Sequence, residues 1–231
     1  MIALAIVLAT VASYALGWFV GKPLLLAIFN AAASFPFMVA ALRRNRVRAA
    51  IGRMLVWALT MGVCSTTLSY EYPLPTNRLF LRGADYRTEM FDWVRTGVGA
   101  ESSPSVFIPA QARDAAIFSA AALATGGVLA MPMGAVLMNQ MGHYVGALAA
   151  WSARPGVTMI LGWHPWAVIR IVSFVVIGVV LSMPLMGRRE EFSRAARTYL
   201  PWAAGGLLLD IVLKTLLAPS WQRLLLRIVG W

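Results

Sequence analysis

Long apolar stretches make up most of this chain, and short polar clusters separate them. About seven of these stretches approach the length of about 20 residues that an α-helix needs to cross roughly 30 Å of hydrocarbon. The predicted spans are, in chain order, residues 2–20, 24–42, 50–69, 114–131, 137–151, 165–186 and 198–217. The pattern therefore predicts an all-α polytopic helical bundle, built as a single integral membrane domain over residues 1–231.

The fourth and fifth spans come from one apolar stretch, residues 114–151, which is too long for a single crossing. A break between Pro132 and Gln140 would make it a hairpin of two short helices, and a single crossing is the alternative. Short loops rich in arginine prefer the cytoplasmic side. Two crossings place both basic clusters, residues 43–48 and 188–197, on that side, so we expect a hairpin and an N-terminus inside. The short loops suggest the cytoplasmic membrane of a prokaryote.

Composition strengthens the membrane assignment. Apolar residues make up 60% of the chain and charged residues only 13%, whereas soluble domains are about 25% charged. The net charge of +11 comes from arginines near the ends of apolar stretches, where such residues contact lipid headgroups. We therefore expect membrane lipids as partners, and no nucleic acid.

The longest polar stretch, residues 70–113, is predicted to be an outer loop that contains an amphipathic interfacial helix. In a helix, Asp85, Glu89 and Asp92 would share one face because they fall at i, i+4 and i+7. This acidic face is either a solvated surface above a membrane-seated apolar face or a site that collects cations, which prefer carboxylate oxygens.

Charged residues inside predicted spans are the strongest candidates for function, because burying charge in a bilayer is costly. Asp210 lies near the middle of the seventh span, and Lys214 follows four residues later on the same helix face. Arg170 in the sixth span is predicted to reach a similar depth. These three residues form either a structural ion pair or part of a proton, cation or substrate pathway.

A second group of candidates, Asn139, Gln140 and His143, lies near the predicted turn of the hairpin. These residues either line a binding cavity or face headgroups at an ordinary turn. The only other histidine, His164, is expected at the outer surface, far from His143. A metal site or a bis-histidine haem is therefore not predicted, and the sequence indicates no cofactor.

Two glycine pairs, Gly17 with Gly21 and Gly142 with Gly146, have the GxxxG spacing that permits close helix packing in membranes. The pairs indicate packing within the bundle or, alternatively, a seam to a second copy or to other membrane subunits.

Three function classes stay open, because the sequence contains no phosphate-binding P-loop, no GxSxG and no HExxH. The favoured class is a transporter or permease-type component that moves a small solute or ion past the buried charges and the hairpin residues. The second is a non-catalytic subunit of a larger membrane complex. The third is a membrane enzyme that uses the outer acidic face on a lipid or lipid-linked substrate. Catalysis is thus not the leading expectation.

Overall fold

The computed structural model describes residues 1–186 and 189–231, and every regular element within them is a helix. The α-helices are α1 (Ile2–Val20), α2 (Pro23–Leu42), α3 (Val47–Glu71), α4 (Thr76–Leu79), α5 (Gly83–Thr96), α6 (Pro104–Thr125), α7 (Ala130–Ala150), α8 (Pro155–Leu161), α9 (Pro165–Met186) and α10 (Arg189–Val229). A short 3₁₀ helix, Ala100–Ser102, precedes α6. Arg188 of the second predicted basic cluster lies outside the described residues.

Five helices, α1, α2, α3, α9 and α10, are long and apolar enough to cross a membrane. The protein is therefore all-helical with five candidate membrane-spanning helices. Four of them coincide closely with predicted spans, and the predicted span 198–217 lies inside the longer α10. Helices α6 and α7 have 22 and 21 residues, but neither is among the candidate spans, because polar side chains interrupt their apolar sequence.

The chain reverses between α6 and α7 at residues 126–129, so the predicted break between Pro132 and Gln140 is wrong. Gly126 and Gly127 have φ angles of 62° and 90°, a left-handed conformation that glycine adopts without steric cost and that ends helices. Pro132 is the third residue of α7, where its missing N–H breaks no helical hydrogen bond. The reversal comes earlier than predicted, so residues 132–140 lie inside α7.

Glycines bring α3 and α7 into close contact at the centre of the bundle. A side chain at Gly142 would overlap Ser65, and one at Gly146 would overlap the carbonyl oxygen of Thr66. Gly17 packs similarly against Leu26 of α2. These glycines face helices of the same chain, so a seam to another subunit would lie on a different surface.

Gly21 has a different role from the other three glycines of the GxxxG pairs. It caps the end of α1 with φ 66°, and no atom outside its immediate neighbours lies near the position of a Cβ. The conformation of the turn, and not helix packing, therefore explains this glycine.

One end of the bundle, which we call the α5 end, carries the short helices α4, α5 and α8 and the 3₁₀ helix. Helix α5 is amphipathic as predicted, and its acidic side is exposed. Its apolar side does not face a membrane: Met90, Trp93 and Val94 are buried against α7 and α10. The apolar side of α5 therefore covers the end of the bundle, and its acidic side is exposed at that end.

Candidate functional site

Four charged residues converge near the α5 end of the bundle, and we call them the charged cluster. Glu101 comes from the 3₁₀ helix, Arg170 from α9, and Asp210 and Lys214 from α10. Helices α9 and α10 pack along each other, which brings Arg170 and Asp210 to one level. The sequence-predicted trio is thus brought together, with Glu101 as an additional member.

The closest ion pair in the charged cluster joins Lys214 to Glu101. The ammonium of Lys214 donates to Glu101 Oε1 at 2.7 Å, and both side chains are largely buried, with 2% and 12% exposure. Trp166 Nε1 donates to the other carboxylate oxygen at 3.4 Å, and the ammonium lies 4.3 Å from the centre of the Phe107 ring. Lys214 therefore pairs with Glu101 and not with Asp210, which precedes it by four residues on α10.

Among the described residues, Asp210 is hydrogen-bonded through only one of its two carboxylate oxygens. Gln111 Nε2 of α6 donates to Asp210 Oδ2, and the Nε of Arg170 lies 3.7 Å from the same oxygen. That separation is longer than a hydrogen bond. The second carboxylate oxygen, Asp210 Oδ1, and the amide oxygen of Gln111 are buried without any hydrogen-bond partner among the described residues. The Lys214–Glu101 pair is thus hydrogen-bonded, and we call it the closed half of the charged cluster. Asp210 and its partner Gln111 keep two unbonded oxygens in the described part of the chain, and we call them the unsatisfied half.

Burial and neighbouring charge set the protonation of the groups at the α5 end. Burial alone would raise the pKa of Glu101, but Lys214 and Arg170 outweigh it and hold the pKa below its usual value. Glu101 is therefore ionised at neutral pH. Burial lowers the pKa of His164 to about 4, so this imidazole is neutral at pH 7.

Aromatic rings surround His164 just before α9. Its ring stacks on Trp166 with centroids 4.8 Å apart and meets the edge of Trp93 at 5.3 Å. The hydroxyl of Tyr144 lies 3.3 Å from its Nε2. Since Tyr144 follows His143 directly, the two histidines lie at the same end of the bundle, and the predicted large separation between them is wrong.

A cavity of about 340 Å³ begins at the charged cluster and continues between the helices. Its polar end is lined by Arg82, Asp85, Tyr86, Glu89, Glu101, Gln111, Asp114, Gln140, Arg170 and Lys214. The rest of the lining is mostly apolar and includes Met38, Trp57, Phe118, Met131, Phe174 and Val179. On α9 the lining extends from Ala167 to Ser182, which is about 22 Å of helix at 1.5 Å per residue.

The shape and chemistry of this cavity match an elongated molecule with a polar end. Its walls come mainly from α6, α7 and α9, with side chains of α2 and α3 at the back. Helix α6 packs closely on α9 through the ring pair Phe118–Phe174, whose centroids are 4.9 Å apart, and only sparsely on α7. The cavity therefore lies beneath the sparsely packed boundary between α6 and α7.

Asn139 does not lie at a turn or in the cavity lining, because α7 extends through it. It accepts a hydrogen bond from the hydroxyl of Tyr14 and donates to Asn30 Oδ1 at 3.0 Å. Asn30 in turn donates to Ser13 Oγ at 2.8 Å, and its backbone carbonyl accepts from Trp57 at 3.0 Å. We call these five residues the amide network. It joins α1, α2, α3 and α7 with buried hydrogen bonds.

Gln140 and His143 also lie within α7, nearer to the α5 end. Gln140 donates to the carbonyl oxygen of Leu81 at 3.0 Å and lines the cavity. Both ring nitrogens of His143 are bonded, one to Ser69 and one to Asn77, each at 2.9 Å. These two bonds anchor the segment between α3 and α5. The described residues include no group of three His, Cys, Asp or Glu arranged to hold a metal.

The acidic face of α5 contributes two of its three residues to the cavity. Asp85 and Glu89 line its polar end, and Asp85 lies 3.8 Å from Arg82 in an exposed ion pair. Asp92 is exposed on α5 and does not line the cavity. Of the predicted acidic face, the two residues nearer the start of α5 therefore line the cavity, and Asp92 does not.

No protein-family model, curated protein or solved structure matches this chain. The site must therefore be understood from its own geometry. Sequence reasoning missed Glu101 and Gln111, the two polar partners of the buried charges. The sequence offers one weak signal for Gln111, a lone amide at the start of an apolar stretch, and none for Glu101, which stands in a polar loop like many solvated glutamates.

Proposed function

We propose that the protein binds an amphiphile, a phospholipid or a lipid-linked molecule, in the cavity and moves it as a permease-type component of the membrane. The observation that carries this proposal is the continuity of the cavity from a charged end into an apolar region that extends along α9 from Ile171 to Ser182, about 16 Å. An apolar lining of that length, about half of the roughly 30 Å thickness of a hydrocarbon core, suits one acyl chain better than a small hydrated solute.

The order of groups along the cavity supports a headgroup that contains a phosphate and an amine. Arg170 stands where the apolar lining ends, and guanidinium groups bind phosphate oxygens well. Asp85 and Glu89 follow at the exposed mouth and suit an ammonium group. Acyl chain, phosphate and amine occur in this same order in phosphatidylethanolamine.

Filling the cavity tests the proposal. Gly134 lines the cavity, and a Cβ there would meet only the Phe118 ring, at 3.8 Å. We expect Gly134→Phe to fold and to reduce crosslinking of phosphatidylethanolamine carrying a photoreactive acyl chain by at least tenfold. Gly205→Phe is the matched control, because Gly205 is exposed on α10 with open space around it. Equal crosslinking of the two variants would contradict the proposal.

Movement of the lipid needs its own measurement. In reconstituted vesicles, the wild-type protein should accelerate exchange of a headgroup-labelled phosphatidylethanolamine between leaflets, and Gly134→Phe should abolish the acceleration. Crosslinking without accelerated exchange would leave a lipid-binding protein that is not a permease.

A membrane enzyme acting on a lipid-linked substrate is the second candidate, favoured by the carboxylates of Asp85 and Glu89 at the cavity mouth. The double variant Asp85→Asn/Glu89→Gln separates the two functions. Loss of substrate turnover with unchanged lipid crosslinking would support the enzyme, while exchange that continues in this variant would support the permease.

The proposed transport assumes that α6 and α7 also cross the membrane, giving seven spans with the N-terminus inside and α5 at the outer interface. Their lengths and their packing along α9 and α3 support this topology. Cys64 is the single cysteine, so Cys64→Ala provides a background for labelling. Val98→Cys should then be labelled from outside and Val128→Cys only from inside. Labelling of both from one side would contradict the topology.

A further inference from the structure

The unsatisfied half of the charged cluster contains two acceptors and no donor between them. Asp210 Oδ1 and Gln111 Oε1 are both buried and have no hydrogen-bond partner in residues 1–186 and 189–231, although their side chains are already joined by the hydrogen bond from Gln111 Nε2 to Asp210 Oδ2. A buried acceptor without a partner destabilises the folded protein. Two such atoms on adjoining side chains indicate a missing hydrogen.

A ligand in the cavity does not supply this hydrogen. Gln111 lines the cavity, but its Oε1 exposes no appreciable surface, and the same is true of Asp210 Oδ1. Neither oxygen is thus open to a headgroup. A proton, in contrast, needs almost no additional volume in a buried site.

We infer that Asp210 carries a proton on Oδ1 and donates it to Gln111 Oε1. The carboxylic acid and the amide are then joined by two hydrogen bonds, one in each direction, and a single proton satisfies both buried acceptors. The proton comes from hydronium in the solvent: one O–H bond of hydronium breaks, one O–H bond forms on Asp210, and a neutral water molecule is left. The 3.7 Å separation between Arg170 and Asp210 agrees with a neutral acid, because an ionised carboxylate forms closer pairs with arginine.

The charged groups around Asp210 determine what this proton does. Arg170 from α9 and Lys214 from α10 favour the ionised acid, while Glu101 from the 3₁₀ helix favours the neutral one, and Gln111 from α6 is uncharged. Lys214 is held by Glu101 at 2.7 Å. Arg170 is therefore the group whose availability changes: it pairs with an ionised Asp210 or, beside a neutral Asp210, binds an anion from the cavity.

Phosphate binding and protonation then support each other. A phosphate on Arg170 adds negative charge beside Asp210 and favours its protonated form, and by linkage the protonated form binds phosphate more tightly. This consequence rests on the proposed function, whereas the proton between Asp210 and Gln111 does not. The protein is thus a proton-coupled binder of the phosphate group of a lipid.

Infrared spectroscopy tests the proton without any ligand. At pH 7 we expect the carbonyl stretch of a protonated carboxyl group in the wild-type protein, with loss of this band in Asp210→Asn. Gln111→Leu should shift the band, because the acid loses its acceptor. Asp92→Asn is the control that should retain it, since Asp92 is exposed on α5 and does not line the cavity. A wild-type spectrum without the band would overturn the inference whatever the protein binds.

Lipid binding tests the coupling separately. Phosphatidylethanolamine in phosphatidylcholine nanodiscs should bind up to tenfold more weakly for each unit of pH above the titration of Asp210. Asp210→Asn, which is permanently neutral, should bind with the same affinity at pH 6 and pH 8. An equal pH dependence in wild type and Asp210→Asn would overturn the coupling. Absence of lipid binding in both, with the infrared band present, would overturn the proposed function and leave the proton assignment in place.

Discussion

The amide network and the charged cluster are both buried polar groups among apolar helices, yet they differ in how fully they are bonded. In the amide network, Asn139 and Asn30 donate and accept across four helices. In the charged cluster, Asp210 Oδ1 and Gln111 Oε1 have no partner. Neither Asn139 nor Asn30 lines the cavity, although Trp57 of the amide network does, whereas Arg170 and Lys214 line its polar end.

This difference distinguishes polar groups that hold the helices together from polar groups that are candidates for function. Fully bonded polar groups specify how helices pack, because every alternative arrangement leaves some of them unpaired. Partly bonded groups beside a cavity keep capacity for a ligand or a proton. Burial alone does not distinguish the amide network from the charged cluster, since both are buried inside the protein.

The largest expected effect comes from breaking the closed half of the charged cluster. Lys214→Met leaves the buried Glu101 carboxylate without its closest partner, and removal of one member of a buried ion pair costs about 3–5 kcal/mol. Thermal unfolding in a mild detergent should show this loss.

The double variant Lys214→Met/Glu101→Gln sharpens this result, because it removes both charges. We expect it to recover most of the lost free energy of unfolding. A double variant as unstable as the single one would show that packing of the lysine side chain, and not its charge, stabilises this region.

A smaller loss is expected from the amide network, and it should have no effect on the proton. Asn139→Ala leaves the Tyr14 hydroxyl and Asn30 Oδ1 with fewer partners, which should reduce the free energy of unfolding by about 2–3 kcal/mol. Ser34→Ala is the control, because this buried hydroxyl bonds only to Ala31 of its own helix. The infrared band of Asp210 should persist in Asn139→Ala, and its loss would show that the two groups are coupled.

As the pH falls, the free energy of unfolding should decrease because of His164 before Glu101 becomes protonated. His164 has a pKa of about 4 in the folded protein and about 6.5 when unfolded, so the unfolded chain binds a proton first as the pH falls. The contribution of His164 to the free energy of unfolding is fully present above pH 6.5 and declines towards pH 4. The loss is on the order of 2 kcal/mol at pH 5. Because the pKa of Glu101 is lowered, its contribution is lost only below its usual pKa. His164→Phe should flatten the decline between pH 7 and pH 5, and an unchanged slope would assign the decline to another group.

The smallest effect is expected at an exposed ion pair, which calibrates the others. Arg194 and Glu191 lie 3.2 Å apart with side chains 80% and 34% exposed. Exposed pairs contribute about 0–1 kcal/mol, so Glu191→Ala should leave the melting temperature nearly unchanged. A loss comparable to that of Lys214→Met would mean that burial does not explain the difference between these ion pairs.

The apolar pattern predicted the long helices well, because length and hydropathy are local properties of the sequence. The turn at Gly126–Gly127 was missed because Pro132 looks like a stronger break, although proline is tolerated in the first turn of a helix. Because of that error, Asn139 and His143 were predicted to lie at a turn, and their hydrogen-bond partners were not predicted.

The charged cluster was predicted in part. Asp210 and Arg170 were recognised because charges in apolar helices are rare. The partner of Lys214 was not, because the i, i+4 rule describes an isolated helix, while the 3₁₀ helix brings Glu101 to 2.7 Å through tertiary packing. Contacts between distant segments, unlike helix faces, leave no periodic signal in a single sequence.

The lengths of the helices imply an uneven response to membrane thickness. Helices α1 and α2 have 19 and 20 residues, or about 28–30 Å, which matches an average hydrocarbon core without surplus. Helix α10 has 41 residues, or about 61 Å, and is not limited by the bilayer. In a thicker bilayer α1 and α2 are mismatched and must deform the surrounding lipid, while α10 remains long enough. The chain lengths of the host lipids therefore act on one side of the bundle more than on the other.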